Sequence, residues 1–411
     1  MNKKEVKKAP ALRFKGFTND WEQRKLNSFL VEYKKKTKIN NQYPVLTSSR
    51  QGIFFQKDYY DGNQIASKNN VGYNIVPRDY FTYRHMSDDT IFHFNINTLC
   101  DYGIVSTLYP VFTTINQLSS SWLYYYLNYG NDMKRYALLQ KQGGSRTYMY
   151  FSKLKNMLAH IPSVKEQDSI AKILLKIDKL ITLQQRKLDI LIKLNRNIII
   201  NLFKEIRVNH HAIELKHTAS NWKSARLKEL GICQSGFGFP IKEQNGSKGI
   251  PFFKVSDFNT FGNEIYLQYA NNYVTNHQIR KNKWKIFDQV PAIVFAKVGA
   301  AIFLNRKRMI NEPFLIDNNL MAFELNLQKL DYKFAKILFD NMYLPKFAQV
   351  GALPSYNASD INAIKVKIPD MDSQKKIANI IMKNNNEIIL QKQILQKGKE
   401  LKQFLLQNMF I

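Results

Sequence analysis

The stretch from Ile161 to Phe203 occurs twice, and that repetition constrains the fold more than any other feature of the chain. Shifted by 207 positions, it lies without a gap on Ile368 to Phe410. Ile161-Pro162 falls on Ile368-Pro369, Gln167 on Gln374, Ile170-Ala171 on Ile377-Ala378, Gln184 on Gln391 and Phe203 on Phe410. About a third of the positions are identical, and several others, such as Leu174 on Ile381 and Ile198 on Leu405, exchange one apolar residue for another. A gapless match of this length makes the chain a tandem of two similar halves.

Each copy reads as one long amphipathic helix. Apolar residues recur at three- and four-residue steps: Ile170, Ile173, Leu174, Ile177, Ile181, Leu188, Leu191, Leu194, Ile198 and Leu202 in the first. The second gives Ile377, Ile380, Ile381, Ile388, Leu395, Leu401, Leu405 and Met409. Such spacing over several heptads predicts a coiled-coil seam. About 40 residues at 1.5 Å each would make a rod of roughly 60 Å. Ser163-x-x-Glu166 has the form of a capping box, Asp370 can cap the second copy, and Pro162 and Pro369 stand just outside the starts. Gln184 and Gln391 fall on the seam, where a polar residue lowers stability but fixes register. The stripe weakens around Asn384 and Gly398, so the second helix is expected to need partners to complete it.

The segments between the helices share a plan but little sequence. Trp21 to Leu26 opens the first as Trp222 to Leu227 opens the second. Aromatic and β-branched runs predict strands at Phe81 to Arg84, Thr90 to Asn95 and Gly103 to Phe112, then at Pro251 to Val255, Ile293 to Ala296 and Met321 to Leu325. Helices are expected over Ser119 to Leu139, ended by Gly143-Gly144, and over Phe334 to Phe339. The aromatic run Trp122 to Tyr126 reads as core packing. The divisions expected are a basic tail, 1–20; a mixed α/β segment, 21–160; a helix, 161–207; a second α/β segment, 208–367; and a second helix, 368–411.

Charge bounds the function. The chain of 411 residues carries a net +29, of which about +8 lies in the repeated helices, so the segments between them hold most of it. That is the signature of a polyanion partner. No apolar run approaches the ~20 residues that span a bilayer, and the Lys-rich Met1 to Ala9 leads into no apolar segment, so neither membrane nor secretion is expected. Cys100 and Cys233 stand alone, which fits a reducing cytoplasm and excludes a disulfide framework. Apolar rods must pair, and antiparallel pairing returns the chain by the shortest route. It places the two basic segments at opposite ends of a stiff spacer, about a pseudo-two-fold axis. A body of that shape suits two short DNA sites with an unread gap between them, and because the segments differ, the half-sites should differ too.

At this point the chain resembles the specificity (S) subunit of a type I restriction–modification system over nearly its whole length. The resemblance rests on the two Trp openings and on the Ile-Pro-x-x-x-x-Gln-x-x-Ile-Ala starts at 161 and 368. It rests also on Gly103-Ile104-Val105-Ser106 with Tyr109 and Phe112, and on Ile250-Pro251-Phe252-Phe253-Lys254-Val255-Ser256-Asp257. Lys297-Val298-Gly299-Ala300 followed by Asp317-Asn318-Asn319-Leu320-Met321 completes it. It implies two target-recognition domains, each reading one half of a split asymmetric double-stranded DNA site. It implies a helical spacer that docks two methyltransferase (modification) subunits, joined by two restriction/translocase subunits. S-adenosylmethionine, ATP and Mg would belong to those partners, with no cofactor on this chain.

The DNA-contact candidates are polar and basic residues in turns of the variable segments. In the first these are Ser49, Arg50, Gln51, Lys57, Tyr83, Arg84, Lys141, Gln142, Ser145 and Arg146. In the second they are Lys254, Ser256, Lys281, Lys283, Lys297, Arg306, Lys307, Arg308, Ser355, Tyr356 and Asn357. Arg and Lys supply phosphate contacts and salt dependence, while Arg, Asn and Gln can read base edges. The helix positions expected to face a partner helix are Ile170, Ile177, Gln184, Leu188, Leu191, Ile198, Ile377, Ile381, Ile388, Gln391, Leu395 and Leu405. Ser235-Gly236-Phe237-Gly238-Phe239-Pro240 loosely resembles a methyltransferase glycine loop, but without an Asn-Pro-Pro-aromatic motif it reads as a flexible loop near DNA. Pro369-Asp370 and Glu400-x-Lys402 imitate a nuclease signature on a solvated helix face. No phosphate loop is present, and no acid–base or metal site stands out, so no catalysis is read. The rivals are a bifunctional enzyme with its own methyltransferase or nuclease, and a coiled-coil adaptor whose basic surface binds RNA or an acidic protein without sequence preference.

Overall fold

A computed structural model describes residues 9–61, 68–141, 145–207, 222–349 and 353–411. The chain divides into two units, Met1–Lys187 with Gln391–Ile411, and Leu188–Leu390. The repeated stretches form two long helices, Val164–Arg207 and Met371–Asn408, and each unit takes in one half of each. Within both units the helices run antiparallel. In the first, the Gln391 amide donates to the Gln184 side chain, Gly398 faces Ile181, and Lys402 Nζ lies 2.6 Å from Asp178. In the second, Asn195 Nδ2 donates to Asn385 Oδ1 at 2.8 Å, and Ile198 and Leu202 pack on Ile377 and Ile381.

Ile170, Ile177, Leu188, Ile377, Ile381, Ile388, Gln391 and Leu395 are buried, while Gln184, Leu191, Ile198 and Leu405 are half-buried. Leu194, Ile380 and Leu401 depart from the expected stripe, with 49, 59 and 50% of their surface exposed. An α-helix drifts about 20° per heptad against a 3.5-residue count, so positions counted along several heptads walk off the seam. The weak stretch around Asn384 and Gly398 does not interrupt the second helix.

At the helix starts, Glu166 N–H donates to Ser163 Oγ at 3.4 Å, but the glutamate does not complete a capping box. Its buried carboxylate takes two bonds from Arg13 instead, at 2.8 and 2.7 Å. A guanidinium outcompetes a single backbone amide for a buried carboxylate. Asp370 does cap its helix, accepting from Ser373 N–H at 3.0 Å. The repeated glutamine does the same work twice. Gln167 Oε1 accepts from Ser119 N–H at 2.8 Å while Nε2 donates to the Pro162 carbonyl at 2.9 Å. Gln374 Oε1 accepts from Asp331 N–H at 2.9 Å while Nε2 donates to the Pro369 carbonyl at 3.0 Å. Ser119 and Asp331 each open a helix, Ser120–Tyr129 and Tyr332–Asn341, so the motif ties each long helix to its own mixed domain.

The two Trp openings become strands Glu22–Lys25 and Lys223–Arg226, which pair antiparallel with Leu158–Ile161 and Lys365–Ile368 just before the long helices. The first unit then carries a four-stranded sheet in the order Leu30–Glu32, Val111–Thr114, Phe81–Thr82, Asn95–Ile96, with a separate hairpin, Leu46–Ser49 and Gly52–Phe55. Its core joins Trp21, Phe112, Trp122 and Tyr126 to Ile170, Leu174, Met409 and Phe410. Trp122 to Tyr126 is core, with only Tyr124 partly exposed. Gly103 to Phe112 is two strands, Tyr102–Val105 and Val111–Thr114, rather than one. Thr90 to Asn95 is mostly not a strand: Thr90 takes φ 65°, and the side chain of Asn128 bonds both Phe94 N–H and its carbonyl, replacing a neighbouring strand. The expected helix over Ser119 to Leu139 breaks at Gly130, where an added Cβ would lie 2.5 Å from the Tyr126 carbonyl. Its expected end at Gly143-Gly144 lies outside the described residues.

The second unit builds an antiparallel sheet in the order Gly231–Ser235, Leu320–Leu325, Ala292–Ala296, Lys307–Ile310. A smaller sheet sets Ile250–Phe253 between Tyr273–Val274 and Leu315–Ile316. Among the described residues no helix is long and apolar enough to cross a membrane.

Candidate nucleic-acid interface

In the first unit Arg50, Gln51, Arg84 and Arg146 lie around one hairpin turn. Ser49 Oγ accepts from Gln51 N–H and donates to the Gly52 carbonyl, both at 3.1 Å, which shapes the turn that carries Arg50 and Gln51. Asn95 Nδ2 holds that strand from below, donating to Ser48 Oγ at 2.8 Å and the Ser49 carbonyl at 2.9 Å. Arg50 meets Asp89 end-on, with two bonds of 2.6 Å. The guanidinium, aided by the Ser87 hydroxyl, holds the Asp89 carboxyl well below the usual range. Arg146 Nε donates to Asp88 Oδ1 at 2.9 Å. A cleft of about 240 Å³ lies here, lined by Ser49, Arg50, Tyr59, Arg84, Asp88 and His93 among others. Lys57, Arg84, Lys141 and Ser145 are exposed. Gln142 lies outside the described residues.

Tyr83 is not on this surface. It is fully buried between Phe94 and Phe112, and its hydroxyl donates to the Met149 carbonyl at 2.9 Å. The chain leaves the sheet after Thr82, and Arg84, the next residue after Tyr83, is exposed.

In the second unit the cations are more dispersed. Lys254 Nζ donates to Gln244 at 3.0 Å, Ser256 is exposed, and Lys297 Nζ donates to Ser235 Oγ at 3.0 Å. Lys281 pairs with Glu243 at 3.2 Å, and Lys283, at the end of helix Asn276–Asn282, is exposed with φ 52°. Arg306 donates to Asn259 Oδ1 at 2.6 Å. Arg308 donates to the Asn263 carbonyl at 2.6 Å with its guanidinium over the Phe258 ring, and burial lowers its pKa.

Two further candidates belong to the core. Lys307 is 2% exposed and donates to Asn305 Oδ1 at 2.7 Å and the Met342 carbonyl at 2.6 Å. Burial pushes its pKa down to about 8. Tyr356 is buried too, with its N–H on the Lys297 carbonyl at 3.0 Å. Its neighbour Ser355 is half-buried, while Asn357 is exposed and opens the short helix Ala358–Asn362. Gly236 to Phe239 is no flexible loop. Phe237 N–H bonds the Ile316 carbonyl at 2.9 Å, and Phe239 stacks on Phe252 at 3.7 Å.

A search for cations alone passes over Asp88 and Asp89, although adjacent acids are conspicuous in a chain with 61 Lys and Arg against 32 Asp and Glu.

The model of the type I restriction modification DNA specificity domain matches residues 2–193 and again 219–399. The chain is 24% identical over 261 residues to the type I restriction enzyme MjaVIII specificity subunit of Methanocaldococcus jannaschii, covering 60% of each. It is 24% identical over 276 residues to the putative type I restriction enzyme MjaX specificity subunit of the same organism, covering 64% of this chain and 60% of that one. It thus spans about 60% of the length of the curated relatives it matches. In fold it is similar to the crystal structure of a type I restriction–modification S subunit from M. genitalium, with a TM-score of 0.54 at 14% identity over 98% of this chain and 99% of that one.

Proposed function

We infer the role of this chain from the family to which it belongs, that of the type I restriction–modification DNA specificity domain: it supplies the DNA-sequence recognition of a type I restriction–modification complex. The observation that carries this reading is the tandem match, since the family pattern falls once on 2–193 and once on 219–399. Each mixed domain is a target-recognition domain that takes one half of a split asymmetric duplex site. Exposed Lys57, Arg84 and Lys141 in the first and Lys283 in the second suit phosphate contact. Arg50, Gln51 and Arg146 sit on turns where base edges can be reached.

The long helices set the gap and dock two modification subunits, with two restriction subunits joining them. Apolar residues left in water on the helices support this docking. In the first unit these include Leu180, Leu183 and Phe404, and in the second Ile190, Ile389 and Leu390. S-adenosylmethionine, ATP and Mg act on those partners, in the cytoplasm, and this chain contributes no catalytic step of its own.

Selection from random duplex DNA tests the reading, with the chain co-expressed with its modification subunit and S-adenosylmethionine present. Two unlike short blocks at a fixed separation are the expected result. Removing one heptad from each helix shortens the spacer by about 10 Å, or roughly three base pairs, and the gap should shrink to match. Binding without preferred sequence that simply fades with salt would leave the RNA or acidic-protein adaptor instead.

A further inference from the structure

Two adjacent aspartates in the first unit each hold one arginine, and we propose that Asp88 and Asp89 are positioning residues that make Arg146 and Arg50 preset readers of guanine. The proposal rests on the DNA-recognition reading and deepens it by naming the readers, the base and the groups that fix them.

The geometry at Arg50 is specific. Its two terminal nitrogens meet Asp89 end-on at 2.6 Å each, which uses two of the five guanidinium N–H groups. The adjacent edge, formed by Nε and one terminal nitrogen, carries no hydrogen bond among the described residues. That edge has the spacing to straddle O6 and N7 of guanine in the major groove. Asp89 is itself held, accepting from Ser87 Oγ at 2.8 Å and Ile91 N–H at 3.2 Å.

Arg146 is held from the other side. Thr147 pairs with Ser87 across a short antiparallel ladder, which sets Arg146 near Asp88. Here Nε makes the bond, at 2.9 Å, and among the described residues the two terminal nitrogens carry no hydrogen bond, leaving them as a fork. The two arginines therefore offer different edges.

Energetics separate this role from stability. Both pairs are about half exposed, with arginine side chains at 56% and 52%, and exposed pairs stabilise a fold little. Carboxylates on a face that approaches phosphates also weaken binding. What they supply is orientation, since a long side chain already fixed loses less freedom when it meets a base. Arg84, exposed on the same cleft and without an acidic partner among the described residues, is the natural contrast as a phosphate contact.

The test repeats the random-duplex selection on the full complex with Asp89→Asn, Asp88→Asn, Arg50→Lys and Arg84→Ala. Asp89→Asn should weaken discrimination at one G·C pair of one half-site by on the order of ten- to a hundredfold, leaving the other half-site unchanged. Arg50→Lys keeps the charge but loses the fork, and should relax that same pair. Asp88→Asn should relax a different pair. Arg84→Ala should weaken binding to all sequences and lower the salt slope by about one. Aspartate variants that shift affinity for every sequence equally, or move no position, overturn the proposal. So does an Arg50→Lys effect at another base pair. Wild-type complex that selects no sequence overturns the recognition reading and takes this proposal with it.

Discussion

Replacing Gln167 by alanine should loosen the first unit by about 2–5 kcal/mol and leave the second untouched. The side chain is 1% exposed and satisfies the Ser119 N–H at 2.8 Å and the Pro162 carbonyl at 2.9 Å. Alanine strands both groups, and a backbone group left without a partner in the interior costs roughly 1–3 kcal/mol. The bond to the Gln117 carbonyl, at 3.4 Å, adds little. Hydrogen exchange resolves the effect, because opening at Ser119 should quicken by roughly 30- to several-thousand-fold when each tenfold is about 1.4 kcal/mol. Gln374→Ala should do the same to the Asp331 amide, which its Oε1 holds at 2.9 Å. The glutamines share no bonding partner, so the double variant should show both effects independently. Acceleration below threefold at Ser119, or an equal response at Asp331, would refute the assignment of the repeated glutamine as a domain-to-helix tie.

Other perturbations follow from the same packing. Among the described residues Gln391 Oε1 is buried without a partner, while its amide bonds the Gln184 side chain and backbone carbonyl. Changing both glutamines to leucine should therefore raise the urea midpoint, whereas Gln184→Leu alone should lower it through a stability loss of about 0.5–1.5 kcal/mol, because the Gln391 amide then keeps only the Gln184 backbone carbonyl, at 3.3 Å. Lys307 is pushed down to about 8 from 10.5 by burial. Between those values the unfolded chain holds a proton that the folded chain has released, so stability rises with pH across that window. Lys307→Met should abolish this rise, read as urea midpoints at several pH values. At Gly236 a Cβ would lie 2.1 Å from the Asp317 carbonyl oxygen, so Gly236→Ala should lower the melting temperature through a loss of about 1–3 kcal/mol or more; an unchanged melting curve would contradict the close approach.

The long-period features were legible in the sequence because they depend on regular spacing. The duplication and both long helices follow from it, and so do buried seam positions such as Ile170, Ile381 and Leu395. What was not legible depends on partners far along the chain. Arg13 takes Glu166, 153 positions away, from a capping box that looked complete locally. Asn128 bonds both backbone groups of Phe94 and so removes a strand that composition favoured. Among the site candidates, Tyr83, Lys307 and Tyr356 carry polar ends that in most places in a protein reach solvent. Their burial is decided by which face of a strand or turn meets the core. Asp88 and Asp89 were passed over for the opposite reason, since acids are not sought on a surface that binds an anion.

The last residues of the chain close the core of the unit that is made first. Phe410 lies 6.2 Å, ring centre to ring centre, from both Trp122 and Tyr126, and Met409 joins the same cluster. On a ribosome adding roughly 5–20 residues per second, the residues between Lys187 and Gln391 take about 10–40 s to appear. Throughout that interval those aromatic rings lack their cover and are open to chaperones, proteases and neighbouring nascent chains. A stop codon or frameshift before Met409 would leave that vulnerability permanent. The first unit to be translated is the last to be finished.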